Sequence, residues 1–375
     1  MIIAVNTRLL LPGKIEGIGR FAVETLRIIT RDHPEHQFIF IFDRKYAEEF
    51  IFSTNVTPVI CFPPTRHPLL WYWFFERSIP GILAKFKADL FFSPDGWLSL
   101  RSPIRSLPVI HDLNFFHLPK FIPFHVREYY NYFFPRFVQK AARIATVSEF
   151  TKNDIANRFE FPLDKIDVVY NGTSGFSPAA SEKEKQGIRD KYSAGDSYFI
   201  SVGLIHPRKN LTHLFLAFDK FKSETNNNVK LIVVGARKWW TSDMQRALDE
   251  NTAKENIIFT GGVSDEQLKK LIASALGMIY VSHFEGFGLP VLEAMYSDIP
   301  VICSSTTSLP EVGGNAVLYA DPADVDSIKS AMIKLYRNPE ICKEIILKGR
   351  IQREKFTWEK TAGLLWKSID QCLRE

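Results

Sequence analysis

Short, almost wholly apolar runs alternate along the chain with longer stretches of helical spacing. Residues 2–5, 38–42, 89–93, 107–110, 144–147 and 167–170 form one series of such runs. Runs that are apolar on both faces predict strands of a parallel sheet covered on both sides. Between the first two, apolar positions at Ile18, Phe21, Leu26 and Ile29 recur with the period of a helix. The alternation then starts again. Residues 198–202, 230–234, 257–260, 278–282 and 301–304 read as a second set of strands, and 211–222, 264–275, 290–297 and 324–337 as helices. The stretch 173–197 turns to Ser, Gly, Pro and Ala and then to Lys and Glu, which reads as a linker with room for a helix over 182–191. The expected fold is therefore α/β, with two Rossmann-like doubly wound domains facing each other across a cleft, residues 1–175 and 176–357. A last helix is expected from Trp358, apolar at Leu364, Leu365, Trp366 and Ile369.

Length and composition sharpen this picture. A chain of 375 residues is too long for one small core. Its four cysteines are scattered without a C-x-x-C pair, so neither disulfides nor a zinc site are expected, and a reducing, cytoplasmic setting fits. The first residues reach polar positions at once and lack a basic leader, as a strand does and a signal peptide does not. No apolar run approaches the length of a membrane-spanning helix. The net charge of +5 is unevenly placed. Residues 60–140 hold ten Lys and Arg against five Asp and Glu, together with twenty Phe, Trp and Tyr. Such a mixture suits contact with an anionic membrane, or an aromatic core with a basic rim. Stacking on single-stranded nucleic acid is a weaker use of it, and no nucleic-acid motif accompanies it.

The chemistry sits at the predicted strand ends. Glu285-Gly-Phe-Gly-Leu-Pro-Val-Leu-Glu293 follows the strand ending at Ser282, and Pro290 is placed where a helix starts. This puts Glu285 after a strand and Glu293 in the first turn of the next helix. Taken singly, each acid has a plain alternative: a solvated loop acid, and a side chain complementing the helix dipole. Gly203-Leu-Ile-His-Pro-Arg208-Lys209-Asn210 places two adjacent cations between a strand and a helix. Fixed cations there suit a diphosphate leaving group, though a solvated basic loop has the same composition.

Other strand ends carry weaker signals. Gly17-Ile-Gly19-Arg20-Phe21-Ala22, with Asp43 at the end of the next strand, imitates a dinucleotide fingerprint and suggests an NAD(P)-dependent oxidoreductase. Gly17 lies too far past the first strand for that tight turn. His111-Asp112 ends a strand, with Asn114 just beyond. Ser148 either caps a helix or meets a ligand. Gly261-Gly262-Val263 precedes a helix with Ser264 and Gln267 at capping-box positions. Asp324-Val-Asp326 reads as acids at a helix start, with no metal role.

The E-x7-E string, with the G-x-x-x-x-R/K-K-N element upstream, resembles the retaining glycosyltransferases of the GT-B fold, family 4, and in particular mannosyltransferases of cell-surface polysaccharide and lipopolysaccharide assembly. The resemblance implies transfer of a hexose, mannose from GDP-mannose as first choice, from a nucleoside diphosphate sugar to a glycan or polyprenyl-linked glycan. It implies that Arg208 and Lys209, in the loop opened by Gly203, hold the diphosphate. Glu293 would take the ribose hydroxyls, and Glu285 would lie beside the transferred sugar. Backbone amides at Phe287, Gly288 and Leu289, with His111, would meet the sugar. Gly17 and Gly19 would approach the diphosphate and Val263 the nucleobase, with Asn114 and Ser148 on the acceptor side. No metal or other cofactor is implied. The last helix, 358–375, would cross back onto the first domain; packing on the second domain is the alternative. The setting implied is cytoplasmic, at the inner face of the membrane. A nucleotide-sugar-binding protein without turnover remains a third class.

Overall fold

The computed structural model describes residues 1–13, 15, 17–179 and 181–374. Residue 375, the end of the expected last helix, lies outside them. The chain divides into two compact units, one of Met1–Gly172 with Thr357–Glu375, the other of Thr173–Phe356.

The first unit is a seven-stranded parallel sheet. Its strands are β1 (Ile2–Asn6), β2 (Gln37–Phe42), β3 (Val56–Ile60), β4 (Leu90–Ser93), β5 (Arg105–Ile110), β6 (Ile144–Thr146) and β7 (Ile166–Val168). They lie in the order β3-β2-β1-β4-β5-β6-β7, with Ala4 opposite Ile39 on one side and Phe91 on the other. Ile3, Ala4, Val5, Ile39, Phe40 and Ile41 are wholly buried, as continuous apolar strands in a doubly covered sheet should be. The strand β3 was not visible as a run, because Thr57 and Pro58 interrupt it. An edge strand has one partner only, so it tolerates the missing N–H of Pro58. The helix Trp358–Arg374 belongs to this unit. Leu365, Ile369 and Cys372 are buried, the Trp366 ring stacks on His33 at 3.5 Å, and the Thr361 hydroxyl donates to the Tyr170 carbonyl at 2.5 Å.

The second unit is a six-stranded parallel sheet of β8 (Tyr198–Val202), β9 (Lys230–Val234), β10 (Ile257–Gly261), β11 (Gly277–Tyr280), β12 (Val301–Ser304) and β13 (Leu318–Ala320), in the order β10-β9-β8-β11-β12-β13. Phe199, Phe215, Phe218 and Phe221 are at the centre of its core. Much of the stretch 173–197 is a helix, Glu182–Ser193, started by the Ser181 hydroxyl accepting from the Glu184 N–H at 3.1 Å. In each sheet the strand order reverses once, between β1 and β4 and between β8 and β11. Connections leave a reversal in opposite directions and open a crevice at the carboxyl ends of the strands.

Candidate active site

The reversal in the second unit is where the charged side chains meet. The loop after β8 closes with a 3₁₀ turn, Pro207–Lys209, capped by His206, whose Nδ1 accepts from the Arg208 N–H at 3.1 Å. Burial, then the charges of Arg208 and Lys209, lower the His206 pKa to about 4, so the ring is neutral near pH 7 and Nδ1 is free to accept. Asn210 follows in the left-handed region at φ 58°. Its side-chain amide donates to the Val281 carbonyl at 3.0 Å and the Pro322 carbonyl at 2.7 Å, tying this loop to the end of β11.

Glu285, beyond β11, receives both cations. Its Oε1 accepts from Lys209 Nζ at 2.7 Å, and its Oε2 pairs with Arg208 Nη1, which also donates to the Phe284 carbonyl at 2.9 Å. Lys209 Nζ further donates to the Tyr280 hydroxyl at 2.5 Å. Burial alone would push the Glu285 carboxyl up, but Lys209 and Arg208 outweigh it and hold the pKa at about 2. Burial, and then the Glu285 charge, keep the Tyr280 hydroxyl well above its ordinary value and therefore protonated. The unit is a dry, fixed array of two cations, one carboxylate and one phenol.

The backbone around Glu285 is fixed from the next connection. The Ser308 hydroxyl donates to the Glu285 carbonyl at 2.8 Å or the Phe287 carbonyl at 3.1 Å, and the Glu285 N–H donates to the Thr307 hydroxyl at 3.3 Å. Gly288 sits at φ 106°, a conformation that favours glycine, and a Cβ there would lie 2.4 Å from Leu309 Cδ2, so that side chain would have to shift. Gly203, at φ 138°, faces the Lys209 stem, whose Cε would be 3.1 Å from an added Cβ.

The helix after this loop is Leu289–Tyr296, with Gly288 as its cap and no acid in its first turn. It begins one residue earlier than expected, so Glu293 falls in the second turn. Phe287 is buried against Phe356, leaving its backbone and not its ring to face the loop. Val263 is elsewhere: it follows β10 at the edge of the sheet, ahead of a helix whose capping box of Ser264 and Gln267 is formed as read. Asp324 caps the helix Val325–Arg337, and Asp326 pairs with Lys220 at 2.9 Å.

The remaining candidates lie in the first unit. Gly17 opens the helix Gly17–Asp32 with open space over its Cα, whereas Gly19 packs where a Cβ would meet the Leu9 carbonyl at 3.1 Å. His111 donates from Nε2 to the Pro94 carbonyl at 2.8 Å, and burial holds the ring neutral, which makes Nδ1 its acceptor atom. Asn114 begins a short helix, its N–H bound to Asp112 at 3.0 Å. Ser148 is buried, accepting from the Thr151 N–H at 3.1 Å and donating to its hydroxyl at 2.9 Å, so of its two readings the structure shows the cap. Asp43 is committed to Arg44 and to the Thr65 N–H and hydroxyl.

Sequence reasoning missed several participants. Tyr280 was read only as the end of a strand, His206 not at all, and Ser308 lies far along the chain from the loop it holds. The first-unit reversal also carries an unread cluster. Arg8 pairs with Asp95 at 2.5 Å and lies 4.7 Å over the Trp97 ring, while Asn6 donates to Asp95 at 2.8 Å. Polar residues ending the apolar runs of β1 and β4 were the available signal.

Comparison with known proteins agrees with this architecture. The family described as "Glycosyl transferases group 1" matches residues 182–352, and "Glycosyltransferase Family 4" matches residues 15–174. The O-antigen chain mannosyltransferase B of Escherichia coli is 33% identical over 357 residues, covering 92% of this chain and 93% of that protein. The O-antigen chain mannosyltransferase RfbU of Salmonella typhimurium is 30% identical over 275 residues, covering 73% and 72%. Among solved structures, HepE of Anabaena, in complex with UDP and glucose, superimposes with a TM-score of 0.74 at 14% identity, over 99% of this chain and 100% of that one, a likeness of fold. Two parallel sheets of this order define the GT-B class of glycosyltransferase. The chain belongs to glycosyltransferase family 4. The oxidoreductase alternative loses its support, since its acid, Asp43, is engaged within the fold.

Proposed function

We propose that the protein transfers a hexose, mannose first, from a nucleoside diphosphate sugar to a glycan or lipid-linked glycan of a surface polysaccharide, with retention at the anomeric carbon. The observation that carries this is the Arg208–Glu285–Lys209 array at the β8/β11 reversal, where an anionic ligand would bind. The O-antigen mannosyltransferases among the relatives support mannose, and GDP as its carrier is the first choice. HepE, solved with UDP and glucose, supports a nucleotide sugar as donor.

In the proposed reaction the bond from the anomeric carbon to the diphosphate oxygen breaks, leaving its electron pair on the diphosphate. The acceptor hydroxyl oxygen bonds to that carbon on the same face, and its proton passes to the departing oxygen. Arg208 and Lys209 stabilise the charge that develops there, so no metal or other cofactor takes part in the proposal. Glu285, with its oxygens already on both cations, holds them side by side. Glu293 takes the ribose diol. The amides of Phe287, Gly288 and Leu289 and the Nδ1 of His111 take sugar hydroxyls. Val263 borders the base, and Gly17 leaves room beside the diphosphate. Asn114 remains the acceptor-side candidate. The reaction is placed in the cytoplasm.

A thermal-shift panel of nucleotide sugars tests the donor. GDP-mannose is expected to raise the midpoint of the wild type and not of Arg208→Ala. Arg208→Ala should also lower transfer by about 10²–10³-fold. Transfer by that variant at near the wild-type rate would overturn the assignment of the site.

A further inference from the structure

Two consecutive tryptophans follow β9 and turn opposite ways. Trp240 packs inward, its ring 5.6 Å from that of Phe259 and 6.3 Å from that of Phe215, and its indole N–H donates to the Gln245 side chain at 2.8 Å. The Arg237 guanidinium lies over the same cluster, 3.9 Å from the Phe259 ring and 4.7 Å from the Trp240 ring. Trp239 is 39% exposed, and its ring stands edge-on to His206 at 5.6 Å. His206 caps the turn that carries Arg208 and Lys209, so the exposed indole borders the cation loop.

A single exposed aromatic ring means little by itself. The place of this one distinguishes it. In the sheet β9 lies between β10 and β8, and the loops beyond these three strands are joined through their backbones. The Gly203 and Ile205 N–H groups donate to the Val234 and Ala236 carbonyls at 3.0 and 3.1 Å. The Trp239 N–H donates back to the Ile205 carbonyl at 3.2 Å, and the Gly235 N–H donates to the Gly261 carbonyl at 2.9 Å. Gly235 sits at φ 148°, where an added Cβ would lie 1.9 Å from the Gly203 carbonyl oxygen, so no side chain separates the first two loops. A nucleotide with its diphosphate at Arg208 and Lys209 and its base beside Val263 would pass over the end of β9. There it would meet the Trp239 indole, a flat apolar surface whose anchored neighbour, Trp240, holds the loop in place before the ligand arrives.

We propose that Trp239 is the stacking platform for the nucleobase of the donor and sets a preference for a purine over a pyrimidine. Every base has a π-face, and a bicyclic one covers more of an indole than a monocyclic one does. This rests on the nucleotide-sugar reading of the site, and the test separates the two. It is isothermal titration calorimetry of the full chain with GDP, UDP and inorganic pyrophosphate, for the wild type, Trp239→Ala, Trp239→Phe and Arg208→Ala. The wild type is expected to bind GDP more tightly than UDP. Trp239→Ala should weaken GDP about tenfold or more, the worth of one stacked base, weaken UDP less, and leave pyrophosphate unchanged. Trp239→Phe should recover most of the loss, with the unfolding midpoint of both variants at the wild-type value. Undiminished GDP binding by Trp239→Ala, with Arg208→Ala still weakening it, overturns the stacking role alone. So does an equal loss for GDP and pyrophosphate, because Trp239 would then act through His206 on the cation loop. A raised acceptor KM with GDP binding unchanged overturns it in favour of an acceptor contact. A GDP-to-UDP ratio of one in the wild type, or one that Trp239→Ala leaves unchanged, overturns the purine preference. A wild type that binds neither nucleotide, or binds both without dependence on Arg208, overturns the nucleotide-sugar reading and the stacking role with it.

Discussion

The ammonium of Lys209 lies 2.7 Å from Oε1 of Glu285 while Arg208 holds the other oxygen of the same carboxylate. Both cations are mostly buried, and Glu285 more so. Removing the carboxylate leaves two like charges adjacent in a dry place. Glu285→Ala is expected to cost about 3–5 kcal/mol of stability by denaturant unfolding and to lower transfer as well. Its pH dependence has a definite sign. The folded carboxyl titrates at about 2, below its ordinary 4.5. Its stabilising effect is therefore complete above about pH 5 and lost as pH falls toward 2. The stability difference between wild type and Glu285→Gln should shrink across that window. A difference unchanged between pH 6 and pH 3 would contradict the ion-pair account.

How much of this was legible depended on chain distance. Strands such as β1 and β2, apolar on both faces, announce themselves as runs, and Gly286 and Gly288 with Pro290 just beyond mark the turn into the helix at Leu289. The motif pair Arg208-Lys209 and Glu285 was visible as two loops, but the direct contact between them depends on β8 and β11 being neighbours, a tertiary fact. Tyr280 looked like one more apolar strand residue because its ring is buried and only its hydroxyl is used. Edge strands β3 and β13 and the helix Pro68–Trp73 lack the periodicity of buried elements, so pattern alone missed them. The aromatic region showed the opposite limit: composition marked it, yet only burial separates Trp97 from Trp73.

Tyr280→Phe removes a hydroxyl that accepts from Lys209 and is also hydrogen-bonded to Glu285. The ring, 4.5 Å from Lys209 Nζ, remains, and the hydroxyl at 2.5 Å is lost. Folding stability should fall by about 1.5–3 kcal/mol, as expected for bonds to charged groups. Turnover should fall several-fold with the donor KM nearly unchanged, since the change loosens a cation and removes no ligand contact. A variant indistinguishable from wild type in turnover would show that the hydroxyl plays no part in positioning Lys209 for the reaction.

Gly288→Ala places a methyl group 2.4 Å from Leu309 Cδ2 at a φ of 106°. Backbone strain of about 1–3 kcal/mol adds to that clash. Both stability and transfer should drop, because the strained residue caps the helix carrying Glu293. Adding Leu309→Ala relieves only the clash, so the double variant should recover part of the loss and not all of it. Full recovery would mean that the left-handed conformation contributes nothing.

Glu293 is half-buried in the helix Leu289–Tyr296, and its proposed part is to take the ribose diol. That reading separates from a structural one by chemistry on the ligand. Glu293→Gln should raise the donor KM by about tenfold to a hundredfold, the worth of a charged hydrogen bond, with the unfolding midpoint unchanged. A donor lacking the ribose 2′-hydroxyl should bind the wild type more weakly by a similar factor. If the carboxylate and the hydroxyl are partners, the two losses overlap: the deoxy donor should cost Glu293→Gln little beyond what the substitution already cost. Two penalties that multiply would show that Glu293 acts on something other than the ribose.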